Sequence, residues 1–251
     1  MWFLGYPDQA LERSLQAHTL AQQLAHPLDL AYGSQAVASV HQYRREGQSA
    51  RTRAEATMGN SVAQGLPFWL AFGTFVYGWA LADLGQEEIG IAHMHQGMSA
   101  WHATGAKIWQ VYYLVPLVEA YGRRNQPEEG LALSTRALAA IDEMGERTHE
   151  AELYRLRGEL TLQQLSVTNP QPLTPNTQDT EACFHKAIEV ACKQHAKSLE
   201  LRAVMSLARL WQRQGKKAEA RQRLAEIYGW FTEGFDTKDL QEAKALLDEL
   251  S

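Results

Sequence analysis

The sequence has only two cysteines, no excess of basic charge and no long uninterrupted hydrophobic run. Cys183 and Cys192 lie in one predicted helix, about 13 Å apart along its axis, which is too far for a disulfide bond. The formal net charge of -5 and the pI of about 6.0 argue against a nucleic-acid partner. No apolar run reaches the roughly 18 residues that a membrane-spanning helix needs. We therefore expect a cytoplasmic, globular protein without a membrane partner.

The motifs of nucleotide and metal chemistry are also missing. The sequence has no Gly-x-x-x-x-Gly-Lys-Ser/Thr or Gly-x-Gly-x-x-Gly loop for phosphates, no Cys-x-x-Cys and no His-Glu-x-x-His. His93, His95 and His102 share one predicted helix, but about 10 Å of helical rise separates His95 from His102, so one metal ion cannot bind both easily. We expect no catalytic residues, no metal site and no cofactor. An enzyme with chemistry at this histidine cluster is the alternative.

Apolar residues recur at helical spacing along almost the whole chain. Leu199, Ala203, Leu207 and Leu210 form one such stripe, and no segment alternates with the period of two that is typical of strands. The sequence therefore predicts an all-α fold.

Short turn motifs recur about every 40 residues, and a small residue opens the next helix five residues after each motif begins. The motifs begin at Gly5, Gly47, Gly85, Asn125 and Gly215, and the small residues are Ala10, Thr52, Gly90, Gly130 and Ala220. A second small residue follows seven positions later, at Ala17, Gly59, Gly97, Ala137 and, in a unit that opens at Thr180, Ala187. We expect close contacts between antiparallel helices there. The interval between Gly130 and Ala220 exceeds two periods by about ten residues, which predicts an insertion loop at residues 166–178.

This pattern resembles the tetratricopeptide repeat (TPR), a hairpin of helices A and B with small residues at their contact. The resemblance implies an all-α, right-handed superhelical solenoid of hairpins with a period of about 40, forming a single domain over residues 1–251. Residues 1–5 are then expected to be the last turn of a helix A whose beginning is missing. Residues 237–250 are expected to form a C-terminal capping helix with Asp236 as its N-cap.

Three segments resemble the C-terminal TPR region of bacterial signal-transducing ATPase and adenylate cyclase proteins. They are AELYRLRGEL at 151–160, AKSLELRA at 196–203 and YGWFTEGFDT at 228–237. This resemblance implies a protein-interaction or sensor scaffold domain of a larger signalling ATPase. It implies no enzymatic activity, because the catalytic modules are absent from this sequence.

In the TPR family, helix A lines the concave groove at fixed offsets from its small residue. The resemblance thus implies a solvent-facing groove that runs from an aromatic end to a basic end: Phe72, Phe75, Trp79, Tyr112, Glu119, Arg123, Arg155, Glu159, Arg202, Arg209 and Arg213. The expected ligand is a peptide or protein partner, or another domain of the parent chain.

Three alternatives stay open at this point. The aromatic residues between Phe68 and Tyr113 can instead form the hydrophobic core, since large apolar side chains are usually buried. They can also enclose a pocket for a small-molecule effector. Finally, a partner can dock on the N-terminal hairpin around Leu4 and Leu11 rather than in the groove.

Overall fold

A computed structural model describes residues 1–168 and 177–251, and in these two ranges every regular element is helical. Two short 3-10 helices cover Trp2–Leu4 and Arg147–His149. The α-helices are α1 (Pro7–Leu24), α2 (Pro27–Tyr43), α3 (Gly47–Gln64), α4 (Pro67–Asp83), α5 (Glu87–Ala103), α6 (Gln110–Arg123), α7 (Pro127–Met144), α8 (Glu150–Thr168), α9 (Gln178–Lys193), α10 (Lys197–Arg213), α11 (Lys217–Tyr228) and α12 (Lys238–Glu249). Within the described part of the chain, no helix is long and apolar enough to cross a membrane.

Most of the helices are followed, one or two residues after their last residue, by a residue in the left-handed backbone conformation, and these residues recur at an interval of 20 as far as Gly145. They are Gly5, Ala25, Arg45, Gly65, Gly85, Gly105, Asn125 and Gly145, and then, after an interval of 50 residues, His195 and Gly215. A left-handed residue just beyond the end of a helix satisfies its last carbonyl groups and turns the chain. Two helices therefore fill each 40-residue repeat, which confirms the helical hairpins expected from the sequence.

The small residues that open the second helix of each hairpin follow the same interval. Ala10, Ala50, Gly90 and Gly130 lie 40 residues apart, and each is buried. The prediction of Thr52 and Gly59 in the second repeat was wrong, because both residues are exposed and a Cβ added at Gly59 would meet no atom within 4 Å. Ala17 of the first repeat is exposed as well, contrary to the expected close contact. The buried positions of the second repeat are Ala50 and Thr57.

The error in the second repeat has an identifiable cause. Gly47 looks like the turn glycine, but it is the first residue of α3, and Arg45 adopts the left-handed conformation in its place with φ of 59°. Arginine carries no sequence signal for that conformation, which usually favours glycine.

The predicted insertion loop begins within α8, and the predicted cap is helix α12. Ser166 belongs to α8 and Thr177 precedes α9, so residues 169–176 of the predicted loop lie outside the described residues. Helix α12 lies within the predicted range 237–250 and buries Leu240, Ala243 and Leu246 on one side. Its N-cap residue is Thr237 rather than Asp236.

The contacts within the chain group into two compact units. Unit 1 contains Met1, Phe3–Tyr6 and Leu114–Ser251, and unit 2 contains Trp2 and Pro7–Tyr113. The sequence predicts one repeat domain, and its 40-residue pattern continues through both units.

Each unit has its own core. In unit 2 the largest fully buried side chains include Phe72, Phe75, Met94, Trp101 and Tyr113. In unit 1 one apolar cluster joins α9, α10, α11 and α12, with members such as Phe184, Leu207, Leu224, Phe231 and Leu246. Helix α12 is thus an integral part of the core of unit 1.

Candidate functional site

The aromatic residues predicted for the groove are buried in unit 2. The exposed fraction is 0% for Phe72 and Phe75, 3% for Trp79 and 6% for Tyr112. They are therefore core residues, as in the alternative that the sequence left open, and this corrects the expectation that they face solvent. The physical reason is that α4 is apolar on all sides and packs against α2, α3 and α5.

The rings of this core contact one another directly. The Phe72 and Tyr112 rings stack with their centroids 5.9 Å apart, and the Phe75 ring meets Tyr113 edge to face at 4.7 Å. The Tyr112 hydroxyl donates a hydrogen bond to the Gln42 side-chain carbonyl. Burial raises the pKa of Tyr112 well above its usual value, so the phenol stays neutral. These rings fill the space between their helices rather than line an open pocket.

The charged residues predicted for the groove lie in unit 1, and α8 carries the most highly connected of them. Arg155 donates two hydrogen bonds to the Glu152 carboxylate, from Nε at 2.9 Å and from Nη2 at 2.7 Å. Its remaining terminal nitrogen, Nη1, lies 2.7 Å from Glu159 Oε1. Glu152 and Arg155 are both buried, whereas Glu159 reaches solvent. A single arginine thus joins two carboxylates of its own helix.

Helices α10 and α12 extend this network. Arg202 of α10 donates from Nε to Asp239 of α12 at 2.8 Å and from Nη1 to Glu152 at 3.4 Å. The Ser206 hydroxyl donates to Glu159 at 2.7 Å, which joins α10 to α8 a second time. We call the residues Glu152, Arg155, Glu159, Arg202, Ser206 and Asp239 the charge network. It links one side chain to the next across three helices.

Electrostatics keep the buried members of the network ionised. Burial on its own would raise the pKa of Glu152, but the charges of Arg155 and Arg202 oppose it and hold this pKa at about 2. Burial would lower the pKa of Arg155, yet Glu152 and Glu159 raise it well above its usual value. A buried ion pair of this kind contributes little net stability, but removal of one partner typically costs about 3–5 kcal/mol. The network therefore fixes the positions of α8, α10 and α12 within unit 1.

The remaining predicted residues lie on α10 and α6, where their side chains are partly or fully exposed. Arg209 of α10 contacts Glu242 of α12, with 3.2 Å between Nη2 and Oε2. On α6, Arg123 lies 3.7 Å from Glu119. Glu119 also acts on Arg155, since its charge contributes to the raised pKa of the guanidinium. Arg213 is exposed at the end of α10. The structure thus brings Arg155, Glu159 and Arg202 together and places Arg209 beside α12.

The family rule that places groove residues at fixed offsets from the small residue of helix A did not select the acidic residues of α12. Asp239 and Glu242 each pair with an arginine of α10, but the sequence interpretation treated α12 only as a cap. A continuation of the 40-residue period would have found the helix, because it places Glu242 in register with Arg202 and Glu249 with Arg209. In that register α12 is equivalent to α8 and α10.

The arginines at this surface are neutralised by neighbouring carboxylates. Arg155, Arg202 and Arg209 each have at least one acidic partner. The surface that was expected to be basic therefore carries charges of both signs, and we call it the stripe. Its exposed members, Glu159, Arg209 and Glu242, are between 39% and 42% exposed at the side chain. Such surface pairs are weak, so they can be exchanged for pairs with a partner at little cost.

The three histidines of α5, His93, His95 and His102, have different surroundings. The His93 ring meets Tyr77 edge to face at 5.3 Å, and burial lowers the pKa of His95. The His102 ring lies 4.6 Å from the Trp101 ring. Among residues 1–168 and 177–251, no group of three or more His, Cys, Asp or Glu side chains is arranged to hold a metal ion.

Comparisons with known proteins identify the fold. No protein-family model matches the sequence, and the search of curated proteins found no match. Among solved structures, the chain is similar to BtubC (BKLC) from P. vanneervenii, with a TM-score of 0.56 and 13% identity over 97% of this chain and 89% of that one. It is also similar to a kinesin-light-chain-like protein of Podosopora anserina with nearly identical TPR-like repeats, with a TM-score of 0.51 and 14% identity over 89% of this chain and 97% of that one. The fold is therefore an all-helical repeat of the TPR-like class.

Proposed function

We propose that this chain is a protein-interaction domain and that unit 1 binds a peptide or protein partner along the exposed margin of the charge network. The observation that carries the proposal is the stripe itself. Helices α8, α10 and α12 present acidic and basic side chains in alternation, held from beneath by the buried pair of Glu152 and Arg155. A rigid array of paired charges favours a partner whose own charges match it in sign and spacing.

The preorganisation of the stripe supports binding rather than simple solvation. Arg202 is largely buried and fixed by two carboxylates from different helices. This anchoring holds the helices that carry Glu159 and Arg209, so a partner meets side chains whose supporting backbone is already in place. Binding to an ordered surface loses less conformational entropy than binding to a mobile one.

The wider context of the proposal comes from the sequence resemblance to bacterial signalling ATPases. In that context the chain acts in the cytoplasm as a sensor or scaffold region, and its partner is a separate protein or another domain of the parent chain. It serves binding rather than catalysis. A phosphate-binding loop encoded in the same reading frame of the gene would support this context, and a frame that encodes only this repeat region would contradict it.

A matched pair of charge reversals tests the binding surface. Arg209→Glu changes the stripe, and Arg223→Glu on α11 is the control. The two arginines have nearly equal side-chain exposure, 42% and 41%, and each contacts one carboxylate, at 3.2 and 3.1 Å. Both variants should therefore lose similar, small amounts of stability. Only the Arg209 variant should lose the partner.

The measurement uses tagged protein produced in its native host, with bound proteins quantified by mass spectrometry and the Kd of the main partner then measured with purified components. We expect Arg209→Glu to weaken binding about tenfold or more, as is common for an arginine at the centre of an interface. Arg223→Glu should bind as the unchanged chain does. Equal binding by both variants would show that the stripe is not the interface.

A further inference from the structure

Residues Phe3–Tyr6 occupy a surface of unit 1 that is separate from the charge network. The Phe3 ring meets the imidazole of His149 edge to face, with 5.6 Å between the centroids. The Tyr6 ring lies 5.5 Å from the ring of Trp230, just after α11. Two aromatic side chains of a four-residue segment therefore each contact an aromatic residue of the surface.

The glycine between these aromatic residues is required by both its conformation and its surroundings. Gly5 has φ of 89°, a left-handed conformation that other residues rarely adopt. A Cβ at this position would overlap the Trp230 ring and approach Lys197 Cβ to 2.9 Å. The surface thus accepts glycine and excludes larger residues at this point.

Lys197 positions the tryptophan on which the segment rests. Its ammonium group lies over the Trp230 ring at 5.8 Å from the centroid and also donates to Glu200 at 2.7 Å. Leu4, by contrast, is 43% exposed. The surface therefore contacts the first, third and fourth residues of the segment, whereas the side chain of the second is exposed.

We propose that the surface formed by His149, Lys197 and Trp230 is a peptide-docking site for the pattern aromatic–any residue–glycine–aromatic. In this chain Phe3–Tyr6 fill the site, so that a partner peptide with the same pattern must displace them. The proposal does not depend on the function assigned to the charge network. Aromatic anchors that flank a position restricted to glycine combine affinity with specificity. A tethered segment competes at an effective concentration near the millimolar range, so it keeps the site closed to weak ligands.

The experiment measures whether the site binds a peptide once the tethered segment has been released. The double variant Phe3→Ser/Tyr6→Ser removes both anchors but keeps Trp2, which is buried in unit 2. The single variant Gly5→Ala releases the segment in a second way, because its Cβ would overlap Trp230. Leu4→Ser is the matched control, since it changes the exposed residue of the same segment. The probe is a fluorescein-labelled peptide with the sequence of residues 2–8, followed by fluorescence anisotropy.

We expect both releasing variants to bind the probe at least about tenfold more tightly than the unchanged chain and the Leu4→Ser control, because they remove the tethered competitor. A probe with alanine in place of its glycine should not bind, and Trp230→Ala in a releasing variant should abolish binding. Circular dichroism shows whether each variant is folded. The proposal is overturned if folded releasing variants do not bind the probe at millimolar concentration. It is equally overturned if they bind no better than the Leu4→Ser control, or if the alanine probe binds as well as the glycine probe.

Discussion

Two glycines in the middle of helices have opposite surroundings, since one is tightly packed and the other faces open space. A Cβ at Gly97 of α5 would lie 2.6 Å from the Phe75 backbone nitrogen and 2.8 Å from the Ala71 carbonyl oxygen. A Cβ at Gly59 of α3 would meet nothing within 4 Å. The close approach of α4 and α5 therefore requires glycine at position 97, whereas position 59 has no such constraint.

The same substitution at the two glycines should change stability in opposite directions. Gly97→Ala should lower the free energy of unfolding by about 1–3 kcal/mol, because backbone atoms of α4 must move. Gly59→Ala should raise it by up to about 1 kcal/mol, because alanine favours a helix interior. Urea unfolding followed by circular dichroism measures both changes. A destabilising effect of equal size at Gly59 would show that a neighbouring helix packs against this position of α3.

Residue-scale reasoning from sequence alone failed most clearly at Arg155. The fixed offsets selected Arg155, Glu159 and Arg202, which do lie in one network, but Arg155 was expected to face solvent. Arg155 is buried because its two hydrogen bonds to Glu152 and its contact with Glu159 compensate the loss of water. Both carboxylates lie on α8 itself, but this face of α8 also packs against α10, whose Arg202 contacts Glu152, and a periodic pattern does not contain that information.

At the scale of the element, α12 combines a core face with a charged face. Leu240, Ala243 and Leu246 are buried in the core of unit 1, while Asp239 and Glu242 pair with Arg202 and Arg209 of α10. The sequence predicted the apolar stripe of this helix but not its acidic one. A helix that only caps the core would need the first stripe alone.

A pair of alanine substitutions tests how strongly α12 stabilises unit 1. Leu246→Ala should lower the free energy of unfolding by about 2–5 kcal/mol, because it leaves a cavity at a fully packed position. Lys244→Ala, at an exposed position of the same helix, should change it by no more than about 0.5 kcal/mol. Thermal and urea unfolding give both values. If Leu246→Ala has no larger effect than Lys244→Ala, α12 is not an integral part of the core.

At the scale of the whole molecule, one repeat length carries two different kinds of interior. Phe72 and Phe75 in unit 2 lie two 40-residue repeats before Glu152 and Arg155 in unit 1, so the two pairs occupy equivalent positions. All four side chains are buried. The spacing of small residues and turns predicts the hairpins in both units, because it reflects backbone geometry. It does not predict whether aromatic rings or ion pairs fill the space, since both satisfy the same positions.

We expect the two units to respond differently to acid, because unit 1 contains a histidine that is almost completely buried. His149 of unit 1 is buried, and burial lowers its pKa from 6.5 to about 4. Its folded pKa lies below its unfolded pKa, so its contribution to stability is present above pH 6.5 and is lost as the pH falls towards 4. The shift corresponds to about 3 kcal/mol. In unit 2, His18 and His95 are shifted in the same direction, but they are only partly buried.

We therefore expect unit 1 to loosen first when the pH is lowered from 7 to 4.5. Amide hydrogen exchange, corrected for the intrinsic effect of pH on exchange rates, should show reduced protection in α8 and α10 of unit 1 and smaller changes in α4 and α5 of unit 2. The variant His149→Phe keeps an aromatic ring beside Phe3 but cannot bind a proton. It should retain the protection of α8 at pH 4.5, because the unfolded chain no longer gains a proton that the folded chain excludes. Equal loss of protection in this variant and in the unchanged chain would show that a different group senses the acid.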